Sequence, residues 1–218
     1  MTAPAISARP DGPAARLRAA TTPIHRATEA EPFVVSLLAG ERSVDDYRSL
    51  LAQLHPVYLA LEEATAATRG NAPAVAAGLF DERLDRAPAI AHDLETLATD
   101  GVTPAPLAET EAYAARLATI TGDWARLLAH HYVRYLGDLS GGQIVAEMLR
   151  RHYGLTAEAL TFYAFDGLGS KGAFKTRYRE GMDTILADPA TYEVVLDETV
   201  RAYEANRALF AALERARS

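Results

Sequence analysis

The residues with the most chemical potential in this 218-residue chain fall into two groups. One is the run Gly137-Asp138-Leu139-Ser140-Gly141-Gly142. It is flanked by two patterns of helical period, Trp124, Leu127, Leu128, His131 and Tyr135 before it and Ile144, Val145, Met148, Leu149 and Tyr153 after it. A glycine inside a helix costs about 1 kcal/mol relative to alanine, so three in the middle of the longest apolar pattern call for a compensating role. A glycine cluster lets a helix bend and brings bare backbone close to something flat or bulky, and one carboxylate, Asp138, sits among them. The plainer alternative is a helix break followed by a new helix capped by Ser140. The second group is six histidines: His25, His55, His92, His130, His131 and His152. His25 has Glu29 four residues on and His92 has Glu95 three residues on, both at same-face spacing. A metal-bound imidazole commonly donates its other N–H to such a carboxylate. The plainer reading of His25 with Glu29 is a surface pair contributing roughly a few tenths of a kcal/mol. Spacing does not choose between His25 and His92.

Composition narrows the chemistry. The chain is long enough for one sizeable domain and short for two. Its apolar fraction of 49% and charged fraction of 23% are those of an ordinary globular protein. A net charge of −7 disfavours nonspecific nucleic-acid binding. There is no cysteine, which rules out disulfides, thiolate ligation, iron–sulfur clusters and a cysteine nucleophile. It also fits a reducing cytoplasm. No apolar run approaches the roughly 20 residues of a membrane span. The Ala- and Pro-rich Met1–Pro13 reads as a loose tail rather than a signal peptide.

The elements that must position these groups are helical throughout. Ala14–Ala30 forms the first segment, interrupted by Pro23, where Thr22-Pro23 could start a fresh helix. Pro32–Ala39 is closed by Gly40. Ser43-Val-Asp-Asp46 resembles a capping box and opens a long helix to about Thr68, with a kink from Pro56 near Gln53. Asn71–Arg86 is broken up by Pro73 and Gly78. Helices follow over Pro88–Thr99 and Pro106–Ile120, separated by Asp100-Gly101. The glycine-bent helix takes Asp123–Tyr153, Leu155–Gly169 is irregular and aromatic, Lys171–Leu186 is a basic amphipathic helix, and Asp188-Pro189 starts the last helix, ending near Arg215.

The run from Tyr132 to Gln143, Tyr-Val-Arg-Tyr-Leu-Gly-Asp-Leu-Ser-Gly-Gly-Gln, resembles the distal helix of heme oxygenases, the bacterial ones above all. A weaker likeness extends from about Leu17 to about Leu213. The resemblance implies an all-α, single-domain fold over residues 14–218, preceded by a disordered tail over 1–13, with heme between a proximal N-terminal helix and a glycine-kinked distal helix. It implies cleavage of heme b, at once substrate and cofactor, to biliverdin, carbon monoxide and ferrous iron. Dioxygen and an external electron donor, a ferredoxin or flavoprotein reductase, would be required. By the same resemblance His25 is the iron ligand and Glu29 its hydrogen-bond partner. Asp138 would hold ordered waters against dioxygen, deliver a proton and steer attack to a meso carbon. Tyr58 and Arg134 would anchor that network, although core packing explains Tyr58 as well. Gly137 and Gly141 would let the helix backbone approach the heme plane. Arg18, Lys175, Arg179 and Tyr132 match residues that meet the propionates. Two departures stand out: Ser170, beside Lys171, where a bacterial relative has lysine, and Ala205, which replaces an aromatic and would loosen the pocket.

Two other classes compete. A non-catalytic heme carrier or sensor needs the same His25 but no Asp138 network. A di-iron carboxylate protein needs Glu-x-x-His pairs on bundle helices, and the sequence has none.

Overall fold

The computed structural model describes residues 11–98 and 103–216. They form ten α-helices and no strand among the described residues: α1 Pro13–Glu29, α2 Pro32–Leu38, α3 Val44–Arg69, α4 Ala74–Leu79, α5 Ala87–Thr96, α6 Ala108–Thr119, α7 Trp124–His131, α8 Gly137–Tyr153, α9 Lys171–Ile185 and α10 Pro189–Ala216. A five-residue π-helical segment, Tyr132–Leu136, joins α7 to α8, and three short 3₁₀ turns lie between α8 and α9. The first ten residues of the tail read over 1–13, and the Asp100-Gly101 break, lie outside the described residues; Pro13, read as the tail's last residue, is the first residue of α1.

The helix ends follow from local chemistry. The Ser43 hydroxyl accepts from the Asp46 N–H, and the Asp46 carboxylate accepts from the Ser43 N–H, closing the expected capping box. Gly154 ends α8 at φ +68, a left-handed conformation that glycine adopts without a Cβ clash. Gln53, buried in α3, accepts from Leu107 N and from the Thr110 hydroxyl, both at 2.7 Å, and so satisfies the start of α6. The core centres on α3, whose Tyr47, Leu51, Val57, Tyr58 and Leu61 are fully buried. Around it α10 lies against α1, α2 and α7, and α9 lies against α1 and α4.

Three expectations are corrected. Pro23 does not interrupt α1. It sits on the exposed side, as does Ala19, whose carbonyl loses its partner there. Gly78 likewise lies inside α4 without ending it, while α3 runs through Pro56 to Arg69, the extent expected. The distal segment leaves the α-helical pattern at the π-helical Tyr132–Leu136, just before the glycines, and Gly137 itself has helical φ −59 and ψ −55. Ser140 lies within α8 and caps nothing, so the break-and-recap alternative falls.

Candidate active site

A cleft of about 560 Å³ opens between α1 and the distal segment. Its walls are Arg18, His25 and Glu29 from α1, Tyr132, Val133 and Leu136 from the π-helical segment, Gly137, Ser140, Gly141 and Ile144 from α8, Arg179 from α9 and Tyr203 from α10. A second, largely apolar cleft of about 220 Å³ adjoins it. Leu37, Leu50, Leu54, Val145, Phe162 and Phe210 line that one, with Arg134, Asp138 and Asn206 at its polar end. The two clefts share His25, Glu29, Val133, Gly137, Gly141 and Tyr203. The volume of the main cleft is in the range of small-molecule sites.

A Cβ built on Gly137 or Gly141 would meet nothing within 4 Å, whereas one on Gly142 would sit 2.9 Å from Tyr163 Cδ1. The three glycines therefore do different work. Gly142 lets α8 seat on an aromatic ring, and Gly137 with Gly141 leaves a strip of bare helix facing the cleft.

Beside the strip runs a chain of polar groups. The Tyr58 hydroxyl donates to Asp138 Oδ2. It accepts from Arg134 Nε at 3.1 Å and Nη2 at 2.9 Å. Arg134 Nη1 in turn donates to Asn206 Oδ1 at 2.6 Å. Tyr58 is fully buried and Arg134 nearly so. Burial pushes the Tyr58 phenol well above its usual pKa, against the pull of Arg134, so it remains a donor. Burial works against the Arg134 charge, but Tyr58 and Asp138 beside it carry its pKa upward. Asp138 is raised above the usual carboxylate range by burial, with Arg134, the Tyr58 hydrogen bond and Arg86 opposing. Its carboxyl holds a proton to higher pH than an exposed aspartate does.

Across the cleft, His25 presents a half-exposed imidazole, 45% accessible, whose Nε2 lies 3.5 Å from Glu29 Oε1. The Tyr203 ring meets it edge-on at 5.5 Å. No other histidine lines either cleft. His130 is buried between Glu198 and Tyr113, at 2.9 and 3.2 Å, and His131 Nδ1 is 2.8 Å from the Tyr178 hydroxyl. His92 is exposed. Among the described residues no three His, Asp or Glu side chains group as metal ligands, so the di-iron reading has no site.

At the rim, Arg18, Tyr132 and Arg179 line the main cleft and Lys175 does not; its ammonium reaches the Ser140 hydroxyl on the cleft wall at 3.4 Å. Ser170 caps α9 through Ala173 N, and Lys171 turns toward the Phe165 ring. Ala205 lines neither cleft, so the loosening expected from it is not seen; Tyr203 and Phe210 of the same helix are the ones that face the site. Sequence reasoning missed Asn206, Tyr203, Phe162 and Tyr163. The only available signal was the position of Tyr203, Asn206 and Phe210 on one face of α10.

The donor set fits heme: one imidazole open to the cleft, a side-chain-free wall for a flat ligand, and two arginines with a tyrosine at the rim for two propionates. Comparison with known proteins gives the same answer. The Heme oxygenase family model matches residues 12–212. The chain belongs to the heme oxygenase family. Heme oxygenase 1 of Gallus gallus is 35% identical over 205 residues, covering 91% of this chain and 69% of that one. The crystal structure of heme oxygenase-1 from Synechocystis sp. PCC6803 in complex with heme superposes with a TM-score of 0.86 at 31% identity, covering 94% of this chain and 93% of that one. The heme oxygenase of Leptospira interrogans gives 0.83 at 28%, covering 92% and 99%. As a heme oxygenase, the chain takes heme as substrate and cofactor and degrades it to biliverdin, carbon monoxide and ferrous iron, using dioxygen and electrons supplied from outside. No described helix is long and apolar enough to cross a membrane.

Proposed function

We propose that heme oxygenase activity in this chain is carried by His25 on one wall of the cleft and the Asp138–Tyr58–Arg134–Asn206 chain on the other. The observation that supports this most is that the one imidazole lining the cleft and the side-chain-free strip at Gly137 and Gly141 wall the same space. Heme, when bound, supplies dioxygen activation and is itself the ring that is opened. His25 would hold the iron, with Glu29 orienting the imidazole and raising its basicity. Arg18, Arg179 and Tyr132 would fix the propionate edge, with Lys175 adding charge beside them. Gly137 and Gly141 would let the ring lie against backbone. Asp138 sits where it can hold water at the strip and pass a proton through it, and burial raises its pKa, which favours the protonated form an acid needs. Tyr58 fixes the carboxyl by donating to it, and Arg134, tied to Asn206, fixes Tyr58. With no cysteine for an iron–sulfur centre, the chain would draw electrons from a ferredoxin or a flavoprotein reductase, in the cytoplasm. A carrier or sensor would use His25 equally but would leave this buried polar chain without a task.

Two variants test the assignment. His25→Ala should lose the histidine-ligated ferric spectrum; a spectrum that persists gives the iron to another residue. Asp138→Ala should still bind hemin while most of the heme escapes ring opening, and a normal biliverdin yield removes Asp138 from the reaction.

A further inference from the structure

We propose that Asp93, on α5 and outside both clefts, is a positioning residue for this reaction: it fixes the Thr161–Tyr163 turn, and that turn holds Asp138 and its phenol partner in register. The proposal rests on the reading that the Asp138–Tyr58 pair acts on heme.

Asp93 is completely buried. A carboxylate taken out of water is costly unless its lone pairs are filled, and here three donors converge on it. Thr161 N donates to Oδ1 at 2.9 Å, the Thr161 hydroxyl to Oδ1 at 2.6 Å, and Phe162 N to Oδ2 at 2.9 Å. All three come from one 3₁₀ turn of three residues, which also has the i→i+3 bonds Tyr163 N to Leu160 O and Ala164 N to Thr161 O and a second acceptor for the Thr161 hydroxyl, Ala89 O at 3.1 Å. So short a turn has little stability of its own. Asp93 is its fixed point.

The turn then faces the site in three ways. The Phe162 ring stands edge-on to the Tyr58 ring, 5.4 Å between centroids and 78° between planes. The Tyr163 ring lies directly under Gly142 of α8, closer than any Cβ there would allow. The Tyr163 carbonyl accepts from Gln143 Nε2 at 2.9 Å. Both supports of Asp138, the helix that carries it and the phenol that donates to it, therefore lean on residues that Asp93 locks. Small misplacements matter at such a site: about 1 Å can cost about a hundredfold in rate.

The test uses Asp93→Asn in the full chain. Asparagine keeps the shape but turns one acceptor into a donor, which then opposes either Phe162 N or the Thr161 pair. Hemin titration should stay within about threefold of the parent, while biliverdin recovered per heme in a single turnover with ascorbate and catalase falls by about tenfold. Amide exchange at Phe162 and Tyr163 should quicken. Combined with Tyr58→Phe, the two losses should be smaller than their product, because they act on one carboxyl. The proposal is overturned if yield stays at the parent level while the turn exchanges faster, if the two losses multiply fully, or if yield falls only in proportion to unfolded protein. Should Asp93→Asn fail to fold, Thr161→Val, which removes the hydroxyl's bonds to Asp93 and to Ala89 O and keeps both amide bonds to Asp93, decides in its place: a folded variant with unchanged yield overturns the proposal, and a folded variant with reduced yield supports it. Asp138→Ala separates the levels. Normal yield there refutes the site itself, whereas lost yield there with a normal Asp93→Asn refutes only the role of Asp93.

Discussion

Gly141→Ala should make the heme-free protein more stable and its heme complex weaker. Gly141 lies inside α8, and an added Cβ would meet no atom within 4 Å. The substitution then gains the helix-propensity difference, about 1 kcal/mol, with no packing cost to offset it. For a chain of this size that corresponds to roughly 2–4 °C in Tm. Gly142→Ala is the internal control. It gains the same propensity but drives a methyl to 2.9 Å from the Tyr163 ring, which is buried and cannot simply move aside. Overpacking of that kind costs about 1–3 kcal/mol, so Gly142→Ala should be neutral or destabilising. In the heme complex the order changes, because the Gly141 methyl occupies space the ring must use. The same overpacking range corresponds to roughly 5- to 150-fold weaker binding. Thermal unfolding of the heme-free variants and hemin titration of each give the two readings. A Gly141→Ala protein that is less stable than the parent, or that binds hemin equally well, would refute the claim that this glycine is kept for the ligand rather than for the fold.

Tyr58→Phe should lower stability by about 2–3 kcal/mol in urea, since it strips a buried arginine of its shared acceptor; a loss under about 1 kcal/mol would show that Arg134 finds another partner. His131 supplies an acid-sensitivity prediction. Burial depresses its pKa to about 3, so the folded state keeps it neutral while the unfolded state protonates below the usual histidine value. Stability is therefore complete above about pH 6.5 and is lost as pH falls, by about 2 kcal/mol at pH 5. His131→Phe should remove that much of the difference in unfolding free energy between pH 7 and pH 5, and an unchanged difference would place the titration elsewhere. Arg18→Gln and Arg179→Gln should each weaken hemin binding by up to about fivefold, less in high salt; loss at only one of them would locate both propionates on that side.

The distal segment was legible because glycine is costly in a helix, and a costly residue in a strong pattern marks a ligand or a close contact. The π-helical turn at Tyr132–Leu136 was not legible, because it uses ordinary residues, Tyr, Val, Arg, Tyr and Leu, and so leaves no mark. The capping box at Ser43 was readable since its partners are three residues apart. Pro23 misled because local rules predict an interruption, while tertiary contacts of α1 with α9 and α10 hold the helix through it. Asn206 and Asp93 were invisible for another reason. Their partners, Arg134 and the Thr161–Phe162 turn, lie about 70 residues away in the chain, and no local spacing announces such a pair. His92 and Glu95 drew attention by spacing, yet the residue between them that matters to the interior is Asp93.

Titration of the purified chain with hemin, then addition of ascorbate under oxygen with catalase present, tests the central claim most directly. The account predicts saturation at one heme per chain with a histidine-ligated Soret band, followed by its replacement with the spectrum of biliverdin. Hemin uptake that never saturates, or a bound heme whose spectrum survives the reductant unchanged, would contradict it.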